Sequence, residues 1–263
     1  MSYQPIVPIG GFAGWAMLNR TMTSQKQAFA ASGEPARNVA AFKERIASVT
    51  SAEALVKDRQ LLSVALGAFG LQDDINNKFF ITKALSDGTT DASDLANRVS
   101  NKAYLSMAQA FGFGDGTVHT ADAGFADQIA QAYLDRQFEV AVGDSNESFR
   151  FALNAQRELP ALADKTSSDT TKWYTVLGSP PLRKVFESAF GLPAAFGAID
   201  VDLQVETLRD RADSYLGSRD FAQFGDSAAM DKLIRLYLVR SDASAGQVGL
   251  SGAAIASQIL AGG

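Results

Sequence analysis

Two stretches of the chain end with the same four letters, and both have the form of the carboxyl end of a helix. SVALGAFGL occupies residues 63–71 and KVFESAFGL occupies residues 184–192. In each stretch apolar residues recur at helical spacing, then a glycine and a leucine follow. Glycine accepts the left-handed backbone conformation that ends many helices, and the next apolar residue packs back on the last turn. The pattern predicts one helix that stops at Gly70 and another that stops at Gly191.

The same pattern of amphipathic run and glycine stop recurs along most of the chain, and no segment shows the period-2 alternation of a strand. Residues 1–14 have the composition of an irregular arm, with a first helix from about Trp15. Thr50 and Glu53 have the spacing of a capping box, which predicts a helix from Ser51. A later helix, capped by Ser145, is expected to kink or end at Pro160. The predicted fold is all-α.

Three blocks of the first half recur in the second half in the same order, which predicts an internal duplication. The matched sets, in chain order, are Leu61, Val64 and Ala68–Leu71 with Leu182, Val185 and Ala189–Leu192, then Leu95, Arg98, Phe111 and Gly112 with Leu208, Arg211, Phe224 and Gly225, then Asp127, Ile129, Tyr133, Leu134 and Arg136 with Asp231, Leu233, Tyr237, Leu238 and Arg240. We therefore expect a helical bundle built from two related multi-helix repeats. The expected division is an N-terminal arm and helix (1–34), repeat 1 (35–144), repeat 2 (145–240) and a flexible C-terminal tail (241–263).

Charge and composition exclude several classes of function. The net charge is −5, the sequence pI is about 5.0 and no run of lysine or arginine occurs, so the footprint of a nucleic-acid-binding protein is absent. The chain has no cysteine and one histidine, which argues against zinc and haem sites, and we expect no metal and no cofactor. The apolar N-terminus is broken by prolines and glycines. It predicts neither a Sec signal peptide nor a transmembrane segment.

The residues that usually carry catalysis form no recognisable constellation. His119 lies in a polar loop, no G-x-S-x-G motif accompanies it, and a surface histidine is the favoured interpretation. The stretch DGTTDASD (residues 87–94) fails the spacing of a calcium loop, so its aspartates are interpreted as helix-start residues. Asp73 and Asp74 are interpreted in the same way, and GFGDG (residues 112–116) as a loop after a helix stop. No catalytic residue is predicted.

Two groups of apolar residues are candidates for binding a partner. Phe12 and Trp15 lie in the predicted arm, where they could dock either on the body of the protein or on a partner. The tail is rich in glycine, alanine and serine, which favours a frayed end, yet AAIASQIL could form a short amphipathic helix that orders on a partner. The tail residues concerned are Leu250, Ile255, Ile259 and Leu260.

Several longer phrases resemble a bacterial family of unknown biochemical function whose genes often lie in flagellar gene clusters. They include PIVPIGGFAGWAMLNRTM, VTSAEALVKDRQLLSVALGAFGL and ADQIAQAYLDRQFEVAVGDSNESFRFALN, and the resemblance covers residues 3–240. It implies an all-helical, partly duplicated protein with a role in the flagellum or its assembly, and protein partners among flagellar components. It supplies no catalytic motif.

Three hypotheses follow from these observations. The first is a non-enzymatic flagellum-associated structural or assembly protein that acts through protein–protein contacts, located in the flagellum or the cytoplasm. The second is a cytosolic helical chaperone or regulatory binding module. The third is an enzyme that uses buried carboxylates, for which Asp73, Asp74, Asp87 and Asp91 are the candidates to locate in the structure.

Overall fold

The computed structural model describes residues 3–249, and within that range all regular structure is helical, with no strand. The all-α prediction is therefore confirmed. The α-helices are α1 (Gly11–Ala30), α2 (Gly33–Arg45), α3 (Ala52–Lys57), α4 (Arg59–Phe69), α5 (Lys78–Ser86), α6 (Leu95–Arg98), α7 (Ala103–Phe111), α8 (Phe125–Gly143), α9 (Glu147–Ala163), α10 (Asp169–Gly178), α11 (Pro180–Phe190), α12 (Val201–Leu216) and α13 (Ser227–Gly249). Short 3₁₀ helices lie at Ile46–Ser48, Gln72–Asp74, Ala194–Ala198 and Phe221–Gly225.

The chain forms two compact units. Unit 1 comprises Met1–Pro5 and Met22–Ala141, and unit 2 comprises Ile6–Thr21 and Val142–Gly263. Helix α1 therefore contributes its first half to unit 2 and its second half to unit 1. The four-part division written from the sequence stays a prediction.

Unit 1 is built around helices α2 to α5 and α7. Helix α2 packs on α4, α3 packs on α5, and α7 packs on both α4 and α5. Phe111 lies fully buried where these helices meet, with its ring centroid 5.1 Å from Phe125 and 5.4 Å from Phe113. Most apolar side chains that the periodic patterns placed on helix faces contribute to this core.

Unit 2 centres on helix α11, which packs against α9, α10, α12 and α13. Its core holds a cluster of aromatic rings in edge-to-face contact. The indole of Trp173 lies 5.3 Å from Phe186, 5.0 Å from Phe221 and 5.8 Å from Phe224, measured between ring centroids. All four side chains are fully buried, so this cluster is the centre of the unit's apolar core.

Both AFGL segments end their helices as the sequence predicts. Gly70 and Gly191 have positive φ angles of 74° and 63°. The amide of Leu71 donates to the carbonyl of Leu66 at 2.9 Å, and the amide of Leu192 donates to that of Glu187 at 2.8 Å. These bonds satisfy helix-terminal carbonyls that would otherwise lack a partner.

At each of these two helix ends, an arginine from a helix distant in sequence donates a hydrogen bond to a carbonyl of the last turn. Arg136 Nε donates to the carbonyl of Ala68 at 2.8 Å, and Arg240 Nη1 donates to the carbonyl of Ala189 at 2.6 Å. Arg136 and Arg240 are matched residues of the expected duplication. The shared contact is a local likeness, and the two-repeat organisation stays a prediction.

Several predicted helix boundaries are wrong, each for a local reason. Helix α1 begins at Gly11, so Trp15 lies inside a helix and not at its start. The helix expected over 51–69 is divided at Asp58, whose carboxylate accepts hydrogen bonds from the amides of Gln60 and Leu61 and starts α4. Ser51 and not Thr50 is the N-cap of α3, with its Oγ accepting from the amide of Ala54.

Two further boundaries lie in unit 2. Asn146 and not Ser145 caps α9, and this helix continues through Pro160 to Ala163. Helix α13 extends to Gly249, beyond the expected start of a flexible tail at residue 241. The rest of the tail, from Leu250 onward, lies outside the described residues. Within residues 3–249, no helix is long and apolar enough to cross a membrane.

Three tyrosines should make the free energy of unfolding depend on pH in the alkaline range. Burial raises the pKa of Tyr104, Tyr133 and Tyr237, and for Tyr104 a 2.6 Å hydrogen bond to the carboxylate of Asp74 raises the pKa further. The folded protein therefore keeps these protons at a pH where the unfolded chain, with tyrosine pKa values near 10, has lost them. We expect the free energy of unfolding to fall as pH rises above about 10.

Urea unfolding midpoints between pH 8 and pH 11.5 measure this effect. Because lysines also titrate in this range, the control is Tyr104→Phe, which lacks one of the three protons and should show a shallower decline above pH 10. A midpoint that stays constant from pH 8 to pH 11.5 would contradict the prediction.

Candidate functional site

The structure places the two N-terminal residues singled out from the sequence on one face of helix α1. Trp15 is only 3% exposed, and its ring meets Phe149 edge to face at a centroid distance of 5.7 Å. Trp15 therefore docks on the body of unit 2. Phe12 lies one turn earlier and is 39% exposed. Leu250, Ile255, Ile259 and Leu260 lie outside the described residues, and partner binding through them stays a prediction.

Phe12 and Trp15 line a groove in unit 2 between helices α1 and α13, with a volume of about 600 Å³. We call it the α1–α13 groove. Its α1 residues recur at helical spacing, so they share one face of that helix. The lining residues are Phe12, Trp15, Ala16, Asn19 and Arg20 from α1 and Asp231, Lys232 and Arg235 from α13.

The rim of the α1–α13 groove is cationic. The guanidinium of Arg235 lies 5.1 Å from the centroid of the Phe12 ring, which is the geometry of a cation–π contact. Arg20 donates from Nε to the carbonyl of Ala16 at 3.3 Å. Within residues 3–249, no carboxylate forms an ion pair with Arg20, Lys232 or Arg235. Three cations and the single acid Asp231 therefore surround an apolar floor, in a chain whose net charge is negative.

Sequence reasoning missed the cationic half of the groove. Lys232 and Arg235 lie in a stretch that entered the predictions only through its matches to the first half of the chain. Their importance depends on α1 packing alongside, more than 200 residues earlier in the chain. The available signal was the spacing of Asp231, Lys232 and Arg235, which puts three charges on one side of α13.

The carboxylates considered for catalysis make local structural contacts instead of forming a recognisable pair. Asp74 accepts from the hydroxyl of Tyr104, and Asp87 pairs with Lys83 one turn away. Asp91 accepts from the amide and the hydroxyl of Ser93, and these bonds hold the pKa of its carboxyl below the usual range, the opposite of what a general acid needs. Asp73 is exposed in the 3₁₀ helix before α5.

Asp94, interpreted from the sequence as a first-turn charge, is instead the residue that precedes α6. Its Oδ2 accepts from the amide of Asp91 at 2.8 Å. Within residues 3–249, no group of three histidine, cysteine, aspartate or glutamate side chains is placed to hold a metal ion.

His119 lines a second cavity, in unit 1, of about 490 Å³. Its Nδ1 lies 2.8 Å from Asp122 Oδ2, and its side chain is 38% exposed. The rest of the lining is mainly apolar, with Phe69, Phe125 and Ile129. Among the described residues that line this cavity there is no serine, threonine or lysine, so no hydroxyl or amine nucleophile lies beside the histidine–aspartate pair.

The described residues form an all-α protein, and its unit 2 carries the charged, partly apolar α1–α13 groove. The chain belongs to the family described as "Protein of unknown function (DUF1217)", whose model matches residues 68–230. The crystal structure of protein AGR_C_984 from Agrobacterium tumefaciens has the same fold, with a TM-score of 0.73 at 22% sequence identity. The match covers 91% of this chain and 98% of that one. No curated protein matches the chain.

Membership in a family of unknown function agrees with the resemblance drawn from the sequence. The family description and the structural neighbour carry no statement about flagella or catalysis. Flagellar association therefore stays a prediction.

Proposed function

We propose that this chain is a non-enzymatic, flagellum-associated structural or assembly protein that acts through protein–protein contacts. The α1–α13 groove carries the contact part of the proposal. It joins the exposed ring of Phe12 and the buried floor at Trp15 to the charges of Lys232 and Arg235, a combination that is typical of protein-binding surfaces. The flagellar part rests on the resemblance of the sequence to a family whose genes lie in flagellar clusters.

The first test is where the protein is found in cells with and without a working flagellar export gate. Immunoblots of cytosol, culture supernatant and purified hook–basal bodies are the measurement. The proposal expects the protein outside the cell or in the basal body only when the gate works. Protein that stays in the cytosol of both strains would contradict it and favour a cytosolic chaperone or regulator.

A charge reversal tests whether the α1–α13 groove makes the contact. The double variant Lys232→Glu with Arg235→Glu turns the rim from cationic to anionic and is expected to lower the amount in hook–basal bodies by about tenfold or more. Opposed like charges at an interface cost several kcal/mol, which is the physical reason.

The matched control is Lys165→Glu with Lys184→Glu, two exposed lysines of unit 2 outside the groove that give the same change in net charge. Equal losses in the two double variants would show that net charge and not the groove decides incorporation. Whole-cell blots check that both variants accumulate normally.

A further inference from the structure

A second surface of unit 2 has the opposite charge character to the groove. Residues 199–203 read Ile-Asp-Val-Asp-Leu, and they lie at the start of helix α12. Ile199, Val201 and Leu203 are 41%, 48% and 58% exposed, and two aspartates alternate with them. We call these five residues the acidic ridge. Exposed apolar side chains that adjoin one another, unlike apolar residues scattered singly, are a feature of protein-contact surfaces.

The two carboxylates of the acidic ridge have no cationic partner. Asp200 Oδ1 accepts from the amide of Asp202 at 2.8 Å, as an N-cap does, and Asp202 accepts from the hydroxyl of Tyr174. Within residues 3–249, neither forms an ion pair. The position of both acids at the amino end of α12 suits the helix dipole. The ridge therefore presents two negative charges and three aliphatic side chains to solvent.

The α1–α13 groove has the complementary character. Its apolar lining includes the exposed ring of Phe12 and the buried ring of Trp15, and the rim cations, which include Lys232 and Arg235, have no carboxylate partner among the described residues. The groove and the ridge are therefore complementary in two ways. Both offer apolar side chains for the centre of a contact, and their surrounding charges are opposite in sign. The two surfaces share no residue.

We propose that the α1–α13 groove of one copy binds the acidic ridge of a second copy. Asp200 and Asp202 then face Lys232 and Arg235, while Leu203, which lies between the two acids on the exposed face of α12, points toward the groove floor. The contact is heterologous, because it joins two different surfaces, so each copy offers a free ridge and a free groove to further copies. This inference rests on one part of the proposed function, namely that the groove is a protein-contact site. It adds that the partner is a second copy of the chain.

Sedimentation velocity of the full chain at rising protein concentration tests the proposal. We expect species larger than the monomer that grow with concentration and decline in 0.5 M salt, because screening weakens the charged contact. Arg235→Glu in the groove and Leu203→Glu on the ridge are each expected to weaken association by about tenfold or more. A glutamate at position 203 lies in the first turn of α12, where the helix dipole favours an acid, so this variant should fold.

Mixing the two variants distinguishes head-to-tail binding from a symmetric dimer. The Leu203→Glu copy keeps an intact groove and the Arg235→Glu copy keeps an intact ridge, so together they form one good contact. The mixture should give a 1:1 complex and nothing larger. A symmetric contact of groove on groove, or of ridge on ridge, would not form this complex.

Two exposed residues outside both surfaces supply controls. Lys184→Glu gives the same charge change as Arg235→Glu, and Phe79→Glu alters a large apolar side chain of unit 1 that is 86% exposed. Both controls should associate as the unaltered chain does. Far-UV circular dichroism of every variant checks its fold.

Two results would overturn the proposal. In the first, the unaltered chain stays monomeric at all concentrations. In the second, mixing the Arg235→Glu and Leu203→Glu variants does not restore association. Suppose that the unaltered chain is monomeric and that the Lys232→Glu, Arg235→Glu double variant still fails to reach hook–basal bodies. This result would refute self-association but not the proposed function. The groove would then bind a different protein, and the proposed function would stand.

Discussion

Trp173→Ala is expected to lower the free energy of unfolding of unit 2 by about 3–5 kcal/mol, because it leaves a large cavity in a close-packed aromatic core. The side chain is fully buried, and three phenylalanine rings lie against it at centroid distances of 5.0–5.8 Å. Rings held edge to face on several sides have little freedom to move into the vacated space. An effect of this size approaches the whole stability of many domains.

Trp173→Phe is the matched control. The indole Nε1 of Trp173 is buried and has no hydrogen-bond partner among the described residues, so phenylalanine removes no bond and keeps most of the ring contacts. We expect it to cost clearly less than Trp173→Ala, because the cavity that it leaves is smaller. Both tryptophans of the chain belong to unit 2, and the fluorescence of the remaining Trp15 reports the unfolding of that unit in urea. A loss below about 1 kcal/mol for Trp173→Ala would show that the cluster repacks.

Gly112→Ala is expected to destabilise unit 1 by about 3 kcal/mol or more. Gly112 has a φ of +69°, which costs an L-residue about 1–2 kcal/mol. A Cβ at this position would also lie 1.9 Å from the carbonyl oxygen of Thr117. That oxygen belongs to the main chain and cannot rotate away, so the loop itself must shift. Steric overpacking of this kind adds about 1–3 kcal/mol.

Gly116→Ala separates the cost of the positive φ angle from the cost of the close approach to Thr117. Gly116 lies in the same loop with a similar φ of +75°, but a Cβ there meets nothing within 4 Å. We therefore expect only the conformational cost of about 1–2 kcal/mol. Urea unfolding followed by far-UV circular dichroism measures both variants. Equal losses would show that the left-handed backbone alone fixes these glycines and that the approach of Thr117 is relieved at no cost.

The helix ends were the part of the fold that local sequence predicts well. Gly70 and Gly191 stop their helices as expected, because the left-handed glycine and the amide-to-carbonyl bond that mark such a stop lie within about six residues of the chain. The misplaced boundaries have the same local origin. Ser51 accepts from the amide of Ala54, and Asp58 accepts from the amides of Gln60 and Leu61, so each helix start is set by a side chain within three residues.

At Pro160 the expected end of the helix is wrong, and the expected kink stays a prediction. A proline removes one hydrogen bond of a helix, yet α9 continues for one turn beyond it. Residues on that helix, among them Leu159 and Leu162, are buried in unit 2, and their packing outweighs one missing hydrogen bond. The local pattern contained no measure of that packing.

By itself, the sequence determined the all-α class, most of the helix stops and the apolar character of Phe12 and Trp15, because each follows from residue type and spacing over one or two turns. Only the tertiary structure decided what surrounds Trp15. Arg235 reaches Phe12 across more than 200 residues of chain, and no local pattern encodes the packing of α13 beside α1. The acidic ridge likewise depends on which face of α12 the core leaves exposed. Local sequence fixes where helices end, whereas long-range packing fixes which charges meet.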